Sequence, residues 1–490
     1  PPTITSITPS SAFRTKPQPA VVTGTALSLG GTESTVARFG GVPGTQITIP
    51  TETMLQCNTP VGMAAGATVV QVSHSHGSAS LPSTAFTAYS YPPVLASNDT
   101  ALDGGAGSAP MAAQDGNRIH TVWVETGDVF HRASADGGSS WGSTQNLSNT
   151  TGAAEPQVVV NGQDVTVLWI GNSSSLLACF SSDGGATFSS GQIINPLAGG
   201  LPAARPRLCA SGDRRYAVWL RGDPGLGAAR LVATFSTDAG VTWAPTMLVD
   251  DGVANQAEHA IVCDGETAWL TFTDERQGAG ITGAYASRTT DGGQTWAAAQ
   301  RFTAINIAVS EPRICTDAGH VHITWLRGGV LDYIHSTNGG TSWSNPPIEL
   351  SDSAASAATE PAIACAGVRI FAAYVVGGNS VWVARITASG AVVQRSQVST
   401  ATVNAGSPCI SYRDNYVFTA WRNDDVGTGF ARIVHALSTD LGQTYTTPVG
   451  FGDGNMAQEQ PQLLVDGARM LLFWLDHRGA PSLYSNRNLP

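Results

Sequence analysis

Lysine is nearly missing from this chain: Lys16 stands alone, and arginine supplies the rest of the positive charge. Charge of either sign is scarce, at 12% of residues, and its balance is a net −11. A surface of that sign repels phosphate backbones and anionic headgroups, so nucleic acid and anionic membrane surfaces are excluded as partners. No apolar run reaches the ~20 residues that a membrane-spanning helix needs, which excludes insertion by that route. Nor does any long stretch repeat apolar residues with a helical period near 3.6. A Ser/His/Asp arrangement, a phosphate-binding loop and a Cys-x-x-Cys-His haem motif are all missing. The chain opens on Pro1-Pro2 without a basic-then-apolar leader, so a signal peptide is expected to have been removed or never present.

What is abundant is Gly, at 55 residues, and Pro, at 27, the composition of many short strands joined by tight turns. One eight-residue pattern recurs: hydroxyl, any residue, Asp, any residue, Gly, two residues, aromatic. It runs over Ser134–Trp141, Ser181–Phe188, Ser236–Trp243, Thr289–Trp296, Ser336–Trp343 and Ser438–Tyr445. Its third position holds Asp136, Asp183, Asp238, Asp291, Asn338 and Asp440, and a decayed copy over Ile386–Val393 keeps Gly390. The pattern predicts a locked hairpin turn. The carboxylate accepts backbone N–H bonds two residues on, Gly supplies positive φ, and the aromatic folds back to bury apolar area.

A longer period encloses this one. Pro110, Pro156, Pro206, Pro312, Pro361, Pro408 and Pro461 mark first strands, with His259 in the equivalent place, at spacings of 46 to 53 residues. Second strands end in Trp123, Trp169, Trp219, Phe272, Trp325, Tyr374, Trp421 and Trp474, which are expected to fill the gaps between units. Trp382 is expected to be exposed. Four strands per roughly fifty residues is the signature of a β-propeller blade. The chain is therefore predicted to be all-β: an eight-bladed propeller over residues 91–490, with seven as the alternative count. The last unit lacks an outer strand, and residues 92–97 are expected to supply it and close the ring. Residues 1–90 fall outside the period and alternate as strands separated by turns, as in a small immunoglobulin-like β-sandwich.

Two family resemblances follow. The Ile4–Pro9 run, Val22-Thr23-Gly24-Thr25, Phe39-Gly40-Gly41, Thr59-Pro60 and Phe86-Thr87-Ala88-Tyr89 resemble the IPT/TIG immunoglobulin-like family, which implies an extracellular spacer or adhesion module. The locked hairpins resemble the Asp-box (BNR) repeats of sialidases and of non-enzymatic surface propellers, which implies a secreted or cell-surface protein. Sialidases use an Arg-Ile-Pro entry, an arginine triad, an acid/base Asp and a Tyr nucleophile supported by Glu. Here Arg313-Ile314-Cys315 lacks the Pro, and Arg205, Arg207 and Arg313 do not read as a triad. Tyr333, Tyr412 and Tyr416 match no nucleophile position. No catalytic residue is assigned.

First-strand entries and second-strand exits open on one face, and this face gathers the scarce charge. Glu155, Glu258, Glu311, Glu360 and Glu459 stand at first-strand entries; Asp223, Asp274, Arg276, Arg327, Arg422, Asp424, Asp476 and Arg478 stand at second-strand exits. Two accounts remain open. Either each Glu pairs with an Arg of a neighbouring loop and braces adjacent blades, Arg276, Arg327, Arg422 and Arg478 being the partners, or the ring is an acidic mouth for Ca2+ or a sugar. Cys209, Cys263, Cys315 and Cys365 recur at one strand position, which suits buried thiols, with disulfides as the alternative. His74 and His76 alternate along one strand but lack a third ligand. The expected function is non-catalytic binding of a glycan or surface protein. The alternatives are a sialidase-type hydrolase and a structural subunit that self-assembles through its N-terminal module.

Overall fold

The computed structural model describes residues 1–490 except 9–10, 14–18, 28–34, 90–93, 96–98, 150–151, 172–173, 196–201, 224–227, 251–253, 305–306, 353–355, 387–392, 400–403, 414, 425–429, 452–455, 467–468, 479 and 490. The fold is all-β. In the N-terminal part, Thr3–Thr8, Pro19–Thr25, Met54–Asn58 and Thr45–Thr51 form one sheet in that order. Gly77–Leu81, Val70–His74, Val36–Phe39 and Val42–Pro43 form a second. Alternate residues of both (Val22, Leu55, Phe39, Val70, Val72) point into one apolar core, where Phe39 meets Phe86 edge-on at 5.3 Å. His76 lies in the turn after Val70–His74, not on the strand, and both His74 ring nitrogens are engaged, by Ala26 O and by the His76 N–H.

The remainder is a β-propeller. Among the described residues seven four-stranded antiparallel sheets follow one another, spanning 108–146, 154–193, 203–248, 256–301, 310–349, 358–397 and 405–451, and an eighth, five-stranded one takes three of its strands from 458–489. The eighth takes its outer strand, Val94–Leu95, from the other end of the chain, and Thr100–Ala101 pairs further along the same strand, Ser482–Leu489. Closure thus reaches beyond the expected segment, of which residues 92–93 and 96–97 lie outside the described residues. Two carboxylates, Asp99 with its side chain buried and Asp103 half-buried, secure it. Asp99 accepts from Arg478 Nη2 (2.6 Å) and Asn486 Nδ2 (2.9 Å), and Asp103 accepts from the Leu483 N–H (2.8 Å).

Packing is divided among the blade junctions rather than gathered in one core. Trp123 shares a cluster with Leu471 and Phe473 of the eighth blade, Trp169 with Val122 and Val129 of the first, and Trp421 with Ala373 and Val381 of the sixth. All three indoles are at most 1% exposed. Each burial removes a large apolar area that neither neighbouring blade can cover alone. Trp382 is half-buried, not exposed, and its indole N–H donates to Ser380 Oγ (3.0 Å).

The hairpin locks differ from expectation in one bond. Asp136 accepts not from the amide two residues on but from the N–H and hydroxyl of Ser140, four residues on (2.8 and 2.6 Å). The shorter bond belongs to Ser134, whose Oγ accepts from the N–H groups of Asp136 and Gly138. Gly137 and Gly138, at φ of 70° and 83°, curl the chain so that the later amide lies over the carboxylate. Asp183, Asp238, Asp291 and Asp440 repeat the arrangement, and Asn338 reproduces it with its amide. The lock aromatics are only half-buried and pack on the preceding blade, as Trp141 does on Phe473 (5.9 Å). Most of the decayed copy, 387–392, lies outside the described residues.

All seven cysteines are free thiols. Cys209 lies beside Cys263 and Cys315 beside Cys365, on inner strands of neighbouring blades, and burial pushes the Cys209 and Cys315 thiols well up.

Candidate functional site: the channel mouth

The inner strands share one irregularity that decides what faces the channel. Each carries a β-bulge near its start: the ladder steps from Ala154 to Gln157, from Ala204 to Arg207, from Ser310 to Arg313, and likewise in the other blades. The residue before the Pro marker takes a left-handed backbone, at φ of 50° for Glu155, 52° for Arg205, 51° for Glu311, 52° for Glu360 and 52° for Gln460. Bulged pairing leaves that residue's N–H outside the ladder, and the left-handed backbone is costly for a side chain with a Cβ.

The glutamates repair what the bulges break. Glu258 accepts from the backbone N–H of Glu311 in the next blade (2.7 Å). Glu311 accepts from the backbone of Glu360, and Glu360 from the N–H of Ser407. So these carboxylates brace adjacent blades, but through main-chain donors. Arg276, Arg327, Arg422 and Arg478 are not their partners. Arg276 binds Asp274 and Asp250, Arg327 binds Asp332 and Glu349, Arg422 approaches Asp424 (3.4 Å), and Arg478 binds Asp476 and Asp99. These arginines sit at second-strand exits within reach of acids from their own blade, the preceding blade or the closing segment, which take them in place of the glutamates. Glu459 departs from the ring: Gln460 occupies the bulge, and Glu459 stands 3.9 Å from His477. Asp223 ends a second strand opposite Ala228.

Two of the second-strand exits are built alike. Asp274 and Asp476, both fully buried, each grip the arginine two residues on, and Gln256 and Gln458 donate to them. Arg276 stacks over Tyr285 (4.4 Å) and Arg478 over Tyr484 (4.3 Å). Such saturated pairs fix loops and leave little for a ligand.

The channel mouth offers more. A cavity of about 650 Å³ is lined by Arg205, Arg207, Arg313, Glu155, Glu258, Glu311, His259, Gln157, Gln460 and Gln462, from five inner strands. The bulge turns the residues on either side of the Pro marker so that both line it. Arg313 is spoken for by Glu311 (3.1 Å) and by the carbonyl of Pro361 (3.0 Å). The Arg205 side chain has no hydrogen-bond or ion-pair partner among the described residues. Arg207 is open to the channel, but the protein crowding it lowers its pKa, against the pull of Glu155. Burial raises Glu311, helped by repulsion from Glu258 and Glu360 and opposed by Arg313. His259 is pushed down to about 3 by burial, with Arg207 acting in the same sense, so it is neutral at ordinary pH. Among the described residues no group of three His, Cys, Asp or Glu is placed to hold a metal ion.

No protein-family model matches the chain, and no curated protein matches it. Solved structures do resemble it. The BP39L lectin from Burkholderia pseudomallei aligns at 12% identity over 71% of this chain and 100% of that one, with a TM-score of 0.47. An ulvan lyase aligns at 10% identity over 74% and 97%, with a TM-score of 0.47. A mutant of the NanB sialidase from Streptococcus pneumoniae aligns at 9% over 80% and 94%, with a TM-score of 0.38. At that level of likeness the neighbours assign no activity, and the propeller stands on its own sheet topology.

Against the sequence expectation, Arg205, Arg207 and Arg313 do converge, since one cavity holds them all. The signal was the X-Pro-Y pattern itself, Glu155-Pro156-Gln157, Arg205-Pro206-Arg207, Glu311-Pro312-Arg313 and Gln460-Pro461-Gln462, whose X and Y both face inward.

Proposed function

We propose that this chain binds an extracellular or cell-surface carbohydrate at the channel mouth without cleaving it. One observation carries the reading: three arginines and three glutamates line a single cavity of about 650 Å³. Sugars present hydroxyls that both donate and accept, and a wall that alternates fixed donors with fixed acceptors suits them. The Arg205 side chain, free of partners among the described residues, supplies donors without first breaking a bond. The tyrosines favour binding over hydrolysis. Tyr333 is buried and hydrogen-bonded to His322 (2.8 Å), Tyr416 is buried, and Tyr412 stacks on Phe371, so none lines the cavity. Glu258 and Glu311 are already committed to main-chain donors. The Asp-box resemblance agrees with a sialidase-like scaffold turned to recognition, and the N-terminal sheets would serve as a spacer.

Glycan-array screening of the full chain, followed by calorimetric titration of the best hit, tests this. Arg205→Gln is expected to weaken binding about tenfold, the loss of one charge-assisted contact. Turnover of a fluorogenic sialoside or other glycoside would refute the non-catalytic reading, and a silent array with unchanged Arg205→Gln behaviour would refute the site.

A further inference from the structure

A second cavity of about 650 Å³ lies away from the channel, at the outer junction of the fourth and fifth blades, and shares no lining residue with the mouth. Its apolar wall is Phe302, which follows the two-residue outer strand Gln300–Arg301, together with Trp343, Ile334 and Pro347. The Phe302 and Trp343 rings stand 4.9 Å apart, tilted by 57°, and both are half-buried, so each keeps part of a face towards solvent. The polar wall is rigid. Asp332, almost fully buried, receives Arg327 through Nε (2.6 Å) and Nη2 (3.1 Å), and Glu349 receives the same Nη2 (2.9 Å).

We propose that this cleft is a separate binding site for a neutral pyranose sugar. Its charge sums to zero, Arg301 and Arg327 against Asp332 and Glu349, so it has no excess of either sign with which to select an ionised ligand. The positively polarised C–H face of a pyranose fits the negative faces of Phe302 and Trp343. Glu349, nearly half exposed, keeps lone pairs for sugar hydroxyls after binding Arg327. Arg301 gives the site its second indication. Its Nε and Nη2 are anchored on Thr303 and on the carbonyl of Ala304, while its Nη1 is buried without a partner among the described residues. Arg301 lines the cavity, and a small shift of its guanidinium would bring this unsatisfied donor to an incoming hydroxyl oxygen. This inference does not depend on the channel mouth.

The test is tryptophan fluorescence with saturation-transfer NMR on the full chain, using methyl glucopyranoside, galactopyranoside and mannopyranoside, with glucuronic acid as the charged comparison. Among the described residues no tryptophan lines the channel mouth, so an indole response distinguishes the cleft from it. At least one neutral glycoside is expected to perturb fluorescence, and Trp343→Phe to reduce the response to what Trp325 of the same cavity contributes. Phe302→Ala and Glu349→Gln are each expected to weaken binding about tenfold. Glu349 is surface-exposed, so Glu349→Gln remains informative if Phe302→Ala folds poorly. Saturation transfer from none of the three glycosides, unweakened binding in Glu349→Gln, or tighter binding of glucuronic acid would overturn the proposal.

Discussion

Replacing Glu258 separates a bracing carboxylate from a metal-binding one. Its Oε2 accepts from the Glu311 N–H at 2.7 Å, a donor that the bulge between Ser310 and Arg313 has removed from the ladder. Glu258→Ala leaves that N–H without its acceptor. An unsatisfied buried donor costs about 1–3 kcal/mol, and water in the channel moves the expectation to the lower half of that range. Glu258→Gln keeps an acceptor oxygen and loses only the charge-assisted part of the bond, about 1 kcal/mol. Some of that loss is returned, because Glu258 repels Glu311 and helps to raise its pKa. The expected order of stability is wild type, then Gln, then Ala, read as urea midpoints of the full chain at neutral pH. The same titrations with calcium and with chelator decide the alternative, since carboxylates that hold a cation repel one another when it is withdrawn. A Gln variant as damaged as Ala, an Ala variant as stable as wild type, or a calcium-dependent rise that Glu258→Gln abolishes would refute the bracing account.

Other perturbations have equally definite outcomes. Trp421→Ala, at an indole with no exposed surface, should cost roughly 3–5 kcal/mol in chemical denaturation. Trp421→Phe should cost much less, because the indole N–H has no partner to lose. Asp99→Ala should destabilise by about 2 kcal/mol by removing acceptors from Arg478 and Asn486, whereas deleting residues 1–85 should leave the propeller's melting temperature nearly unchanged; a large drop on deletion would mean that the closure lies elsewhere. Burial depresses His120 to about 4, His131 to about 3, His322 to about 4 and His435 to about 4. Their contribution is whole above the unfolded pKa of ~6.5 and is lost as pH falls towards 4 and 3, at up to about 1.4 kcal/mol per pH unit for each. Urea midpoints that do not move between pH 7.5 and pH 5 would contradict buried, neutral imidazoles.

The sequence by itself determined the features that are local or that repeat. The hydroxyl-x-Asp-x-Gly pattern specifies its turn within eight residues, and the Pro markers and second-strand aromatics set the blade period. A buried aromatic needs only its own blade's neighbour to be satisfied. The partners of the charged face were decided by the tertiary structure. Spacing brought Glu311 and Arg327 to the same face, but which donor lies nearest a carboxylate depends on how a bulge turns the backbone, and the donor proved to be an amide of the next blade. Arg205 and Arg207 lie on one repeat and Arg313 two repeats further on, so their meeting in one cavity depends on how the blades are arranged about the channel. Closure itself was half legible: the last unit's missing outer strand pointed to residues 92–97, while Asp99 and Asp103, which secure it, acquire partners some 380 residues away only when the two ends of the chain share a sheet.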